Sequence, residues 1–136
     1  MKKPDVAALI STLLTHLHLA GEGWSVTFST SSKQVNLAQI VWEPSRRFAH
    51  ISLRPQRSIY ADAIAAERPY ALALTLAHEL FHIRLQGHLE MEDVCAEGNP
   101  FNAAFEYALD VLARELVTGL VTRGIISEEP VPAFKR

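Results

Sequence analysis

Cysteine is nearly missing from this chain. Its 136 residues include one, Cys95, so no disulfide can close within it, and a reducing compartment, the cytoplasm, is the expected address. An excess of one charge is missing too. Thirteen basic residues against fifteen acidic ones leave a formal net charge of −2, which excludes the broad cationic surface that grips nucleic acid or an anionic membrane. Arg46, Arg47, Arg54 and Arg57 are a local exception, read as a solvated edge beside a short apolar stretch. No apolar run reaches the roughly 18–20 residues of a membrane span. Lys2 and Lys3 precede an apolar stretch, as in a signal peptide, but Asp5, Thr12, Thr15, His16 and His18 interrupt it. There is no internal repeat and no low-complexity linker. What is present is a globular composition, 49% apolar and 21% charged, long enough to bury a core. Residues 1–126 read as one domain and 127–136 as a flexible tail.

Periodicity supplies the elements. Val6, Leu9, Ile10, Leu13, Leu14 and Leu17 follow the i, i+3, i+4, i+7 rule of a half-buried helix, expected to end with Gly21 in the left-handed conformation. Three stretches alternate as strands do: 24–28, 35–43 and 47–53. Pro55, lacking an N–H, ends the third. A short helix around 60–66 leads to Pro69, which opens a long helix through Gln86, with Gly87 as its stop. An acidic segment follows. Asn99 and Pro100 then read as cap and first position of a last helix running to about Val121. Helix, three strands, then helices make a small α+β domain.

The long helix poses a question. Leu72, Leu74, Leu76, Leu80, Phe81, Ile83 and Leu85 surround it almost completely, which marks it as central and buried. Yet "HELFH" places His78, Glu79 and His82 within it, and buried polar groups require partners. Residues four apart project from one helix face, about 6 Å apart at Cβ, so the two imidazoles can share a metal at Zn–N distances of about 2.0–2.1 Å. Glu79 lies about 100° round the helix from His78, to one side of the pair. It is poorly placed as a ligand and well placed as general base toward a zinc-activated water. The bland alternative is a pair of core histidines satisfied by backbone groups.

A hydrolytic zinc site takes a third protein ligand. His88 stands ten residues after His78, the metzincin spacing, but the glycine that breaks the helix in that pattern is Leu85 here. Glu106 is the stronger candidate. It lies on the last helix four residues before Asp110, which is suited to accept the ring N–H of a liganding histidine. Glu92 and Glu97 are further acidic candidates. A solvated stripe of Asn102, Glu106, Asp110 and Arg114 is the non-functional reading of the same residues.

"TLAHELFH" and "EYALDVLARELV" resemble two motifs of the ImmA/IrrE family of small metallopeptidases, the T-L-A-H-E-L-G-H core and the E-x-x-A-N-x-F-A-x-x-L-L helix. The chain has Phe81 where the family has glycine and Asp110 where it commonly has asparagine. HExxH followed by ExxxD is the wider gluzincin pattern. The resemblance spans roughly residues 47–117. It implies a zincin-like fold, Zn2+ held by His78, His82 and Glu106, Glu79 as catalytic base and Asp110 behind a histidine. It also implies a protein or peptide substrate, with a transcriptional regulator among the expected targets. In zincins the strand before the active helix is often a sheet edge that pairs with extended substrate, a role that falls to "RFAHISL" here, with His50 a candidate to face the cleft. Tyr107, His88 and Tyr60 are candidate oxyanion donors; His16 and His18 have no expected role. The rival to a peptidase is a zinc-stabilised binding module whose site does no chemistry.

Overall fold

The computed structural model describes residues 5–90 and 102–132. They form α1 (Val6–His16), β1 (Ser25–Thr30), β2 (Ala38–Glu43), β3 (Phe48–Leu53), α2 (Gln56–Asp62), a 3₁₀ helix (Ala65–Tyr70), α3 (Ala71–Gln86) and α4 (Asn102–Thr122). The class is α+β, as the patterning predicts. None of these helices is long and apolar enough to cross a membrane.

Asp5 starts α1 by accepting from the Ala8 N–H at 3.0 Å. The helix stops earlier than Gly21. Leu19 N–H bonds to Leu14 C=O and His18 N–H to Thr15 C=O, the paired reversed bonds of a Schellman ending. His18 takes the left-handed position, at φ +62°. A glycine nearby in sequence is thus a weak guide to which residue turns the chain.

The sheet has the order β1-β3-β2. β3 runs parallel to β1, with Thr27 opposite His50, and antiparallel to β2, with Ile40 opposite Ile51. This corrects the expectation for "RFAHISL". It is the central strand, flanked on both sides, and cannot receive an extended substrate at an edge. Ala49, Ile51 and Leu53 are all buried on one face of it, and its pairing with β1 on one side and β2 on the other leaves neither edge open.

α3 occupies the middle of the molecule and packs against α1, α2, β2 and α4. Leu72, Leu76, Leu80 and Ile83 are buried along it, as the near-uniform apolar pattern predicts. Gly87 ends the helix as its C-cap, at φ −62°. A Cβ there would run into the Ile83 carbonyl oxygen and meet the Trp24 ring at 3.0 Å, so the close turn at the helix terminus requires glycine.

The segment expected to be a flexible tail is tied back in its first part. Glu129 N–H bonds to Pro69 C=O at 2.8 Å. The Glu129 carboxylate accepts from the N–H groups of Leu72 and Ala73 at 2.9 and 3.0 Å, and Gln56 Nε2 donates to Pro130 C=O. The first turn of α3 has N–H groups with no partner inside the helix, and a carboxylate from far along the chain supplies what no local capping side chain does.

Candidate metal centre

α3 and α4 pack side by side, and each contributes one polar stripe to their contact. From α3 come His78, Glu79, His82 and Gln86; from α4, four residues apart, Glu106, Asp110 and Arg114. His78 Nε2 lies 2.7 Å from Glu106 Oε2, and His82 Nε2 lies 3.2 Å from Glu106 Oε1. On the far side of each ring, His78 Nδ1 lies 2.7 Å from Asp110 Oδ1 and His82 Nδ1 lies 3.1 Å from Gln86 Oε1. Trp42 stacks on His82 at 6.3 Å between centroids, and Phe105 leans against the same ring at 6.0 Å. Both imidazoles are mostly covered, whereas Glu106 and Asp110 are half exposed.

Asp110 and the Gln86 carbonyl are acceptors, so a neutral ring with its proton on Nδ1 turns an Nε2 lone pair toward Glu106, the form that binds a metal. With His78 between two carboxylates, the same contacts also suit a protonated ring that donates to both. One ligand atom from each of His78, His82 and Glu106 lies within 4.8 Å of the others. Donors at tetrahedral positions with bonds of about 2.0–2.1 Å are about 3.3 Å apart, so the three atoms are near enough for a zinc-sized ion to draw them together. Two imidazoles and a carboxylate are also a donor set that zinc accepts.

Glu79 stands apart from this trio, as its position on the helix predicts. It is only 8% exposed. Burial pushes its carboxyl up to about 7, with Glu106 and Asp110 adding to the rise and His78 opposing it. It lines a cavity of about 360 Å³ together with His78, Asp110 and residues of β2 and α2. At the cavity wall Arg114 donates to Glu67 at 2.5 Å.

Other candidates lie elsewhere. His88 is exposed and lines a separate cleft with Glu22, Trp24 and Arg47, so it does not join the trio. His50 is on the sheet face away from α3, with its ring nitrogens 2.7 and 2.9 Å from the hydroxyls of Thr27 and Ser29. Tyr60 lies under the Arg68 guanidinium, and Tyr107 is 69% exposed next to Glu106. His16 and His18 are on and just after α1, outside the site. Glu92, Cys95, Glu97, Asn99 and Pro100 lie outside the described residues. Gln86, Trp42 and Phe105 were not legible as site residues. Only Gln86 carried a usable signal, its place one turn after His82.

No family model, curated protein or solved structure matches this chain. Its function has to be read from the site's own chemistry.

Proposed function

We propose that this protein is a zinc-dependent metallopeptidase of gluzincin type, similar to the ImmA/IrrE family, with a compact zincin-like fold. The observation that carries the reading is the meeting of two Nε2 atoms and a carboxylate, with an acceptor facing the opposite nitrogen of each ring. Such a cluster suits a cation, and His78, His82 and Glu106 are the residues that would hold it. Zinc bound there supplies a Lewis acid that polarises a carbonyl and brings the pKa of water to about 7.

The remaining steps belong to the chain's own groups. Glu79 takes the proton from the attacking water at its carboxylate and returns it to the nitrogen of the departing amine. Burial raises this carboxyl and a bound dication beside it lowers it, opposing effects that suit a group which must both take up and give back a proton. Asp110 and Gln86 keep the Nδ1 protons in place, so neither histidine turns its lone pair away. Trp42 and Phe105 shield the His82 ring from water. A protein or peptide is the substrate class, and a regulatory protein is the target we favour.

Protein purified without a metal-binding tag is expected to carry about one zinc per chain by elemental analysis. Glu79→Gln keeps the ligands and removes the base, so it is expected to retain zinc and lose hydrolysis by a factor of about 10² or more. A variant that loses cleavage yet keeps its biological effect and partner binding would instead favour a zinc-stabilised binding module. Undiminished cleavage by Glu79→Gln overturns the role given to Glu79.

A further inference from the structure

The two histidines of the cluster are not held alike. His78 Nδ1 faces the Asp110 carboxylate at 2.7 Å, whereas His82 Nδ1 faces the Gln86 amide oxygen at 3.1 Å. Their Nε2 contacts with Glu106 follow the same order, 2.7 Å for His78 and 3.2 Å for His82. Resting on the metal-binding part of the proposed function, we propose that Trp42 is a positioning residue, which makes good this weaker hold by fixing the plane of the His82 ring.

Bond strength is the first ground. A hydrogen bond to a carboxylate is roughly twice as strong as one to a neutral amide. Asp110 reaches His78 from α4, while Gln86 stands one turn beyond His82 on the same helix, at the end of a long side chain with many rotamers. The torsion that turns an imidazole about its bond to Cβ has broad, shallow wells. Gln86 therefore gives His82 an acceptor and little resistance to rotation. Contacts on the ring faces have to supply it.

Trp42 has the place and the stiffness to do so. Its indole lies 6.3 Å from the His82 ring between centroids, with the planes only 24° apart. A nearly parallel neighbour obstructs rotation, because turning swings a ring edge into it. Phe105 closes in on the same ring from α4 at 6.0 Å. The indole is itself fixed. It is 6% exposed, and its Nε1 donates to the Leu89 carbonyl at 3.1 Å, 47 residues along the chain. A buried indole N–H needs such a partner. Trp42 thus ties β2, the His82 ring and the turn after α3 into one unit.

The test measures zinc dissociation constants of the full chain by competition with a chelator. Trp42→Leu is expected to weaken zinc binding about tenfold, and Trp42→Phe, which keeps a flat ring, about two- to threefold. Trp42→Leu with Gln86→Ala is expected to exceed the product of the separate losses, because the ring then lacks both supports. Trp42→Leu with Asp110→Ala, which acts on the other histidine, is expected to stay much nearer the product. If Trp42→Leu does not fold, the same two cycles are run with Trp42→Phe. The ¹⁵N signals of the His82 ring in the zinc form are expected to be sharp in wild type, broadened in Trp42→Leu and restored in Trp42→Phe. A merely structural Trp42 lowers the melting temperature of the metal-free chain and leaves the zinc constant and these signals unmoved, which overturns the proposal. Coupling to Gln86 without hydrolysis of any peptide upholds the role of Trp42 and defeats the peptidase reading. Hydrolysis together with no greater coupling to Gln86 than to Asp110 overturns the role and leaves the peptidase standing. A wild type that takes up no zinc overturns both.

Discussion

Asp110 lies 2.7 Å from Nδ1 of His78, on the side of the ring opposite Glu106. In the proposed site its work would be to hold a proton on Nδ1, because only that tautomer leaves Nε2 free to bind a metal. Asp110→Ala is expected to weaken zinc affinity by a factor of about 10–100, measured by competition with a chromophoric chelator. Asp110→Asn keeps an oxygen acceptor at the same place, so its loss is expected to be several-fold smaller. Equal zinc affinity in wild type and Asp110→Ala would remove Asp110 from the site. The contrast also explains how far the site could be read in advance. His78, His82, Glu106 and Asp110 were legible because helical spacing is fixed by backbone geometry, and i, i+4 pairs must share a face. Trp42 and Phe105 were not, because nothing local says which aromatic side chains a fold will press against a given imidazole.

At the scale of elements, the fold depends on a contact that sequence patterning assigned to a tail. The Glu129 carboxylate accepts from the N–H groups of Leu72 and Ala73, where the helix dipole also favours negative charge. Glu129→Ala is expected to cost about 1–2 kcal/mol, the range of a lost helix cap. Its pH dependence has a defined sign. Burial raises the Glu129 carboxyl above its ordinary 4.5, against the two N–H bonds that lower it. The folded chain then binds this proton more tightly than the unfolded chain, so the stability Glu129 contributes is greatest below the ordinary value and declines as pH rises through the raised one. The difference in melting temperature between wild type and Glu129→Ala, taken at steps from pH 4 to 7, is expected to shrink with rising pH; a growing difference would reverse the assignment. Like the tail, the place of β3 at the sheet's centre was hidden in the sequence. Alternation tells which face of a strand is buried. Strand order depends on pairings between distant segments, on which the strand's own residues are silent. The existence of the helices, by contrast, was legible because a 3.6-residue period is local.

For the whole molecule, the site sits at the contact between its two longest described helices, and that placement couples metal to fold. Glu106 and Asp110 come from α4 and the histidines from α3, so a metal held by both joins elements separated by the segment 87–101. Without a cation, the histidines and carboxylates of α3 and α4 are left to hydrogen-bond one another directly, a weaker tie than a shared ion, while apolar residues such as Leu109, Ala113 and Val117 remain buried. The metal-free chain should therefore keep its fold and lose stability. A ligand that binds only the native state at a hundred times its Kd adds about 2.7 kcal/mol, which for a domain of this size corresponds to a rise of roughly 10 °C in Tm. Adding a strong chelator is expected to lower Tm by about that amount, and returning zinc to restore it. His82→Ala, which removes one ligand and leaves α3 otherwise intact, is expected to melt near the metal-free value and to ignore both chelator and zinc. Should the wild type also be indifferent to chelator while carrying no zinc, the two imidazoles and Glu106 must be held by protons alone, and the hydrolytic reading of the site fails with the metal.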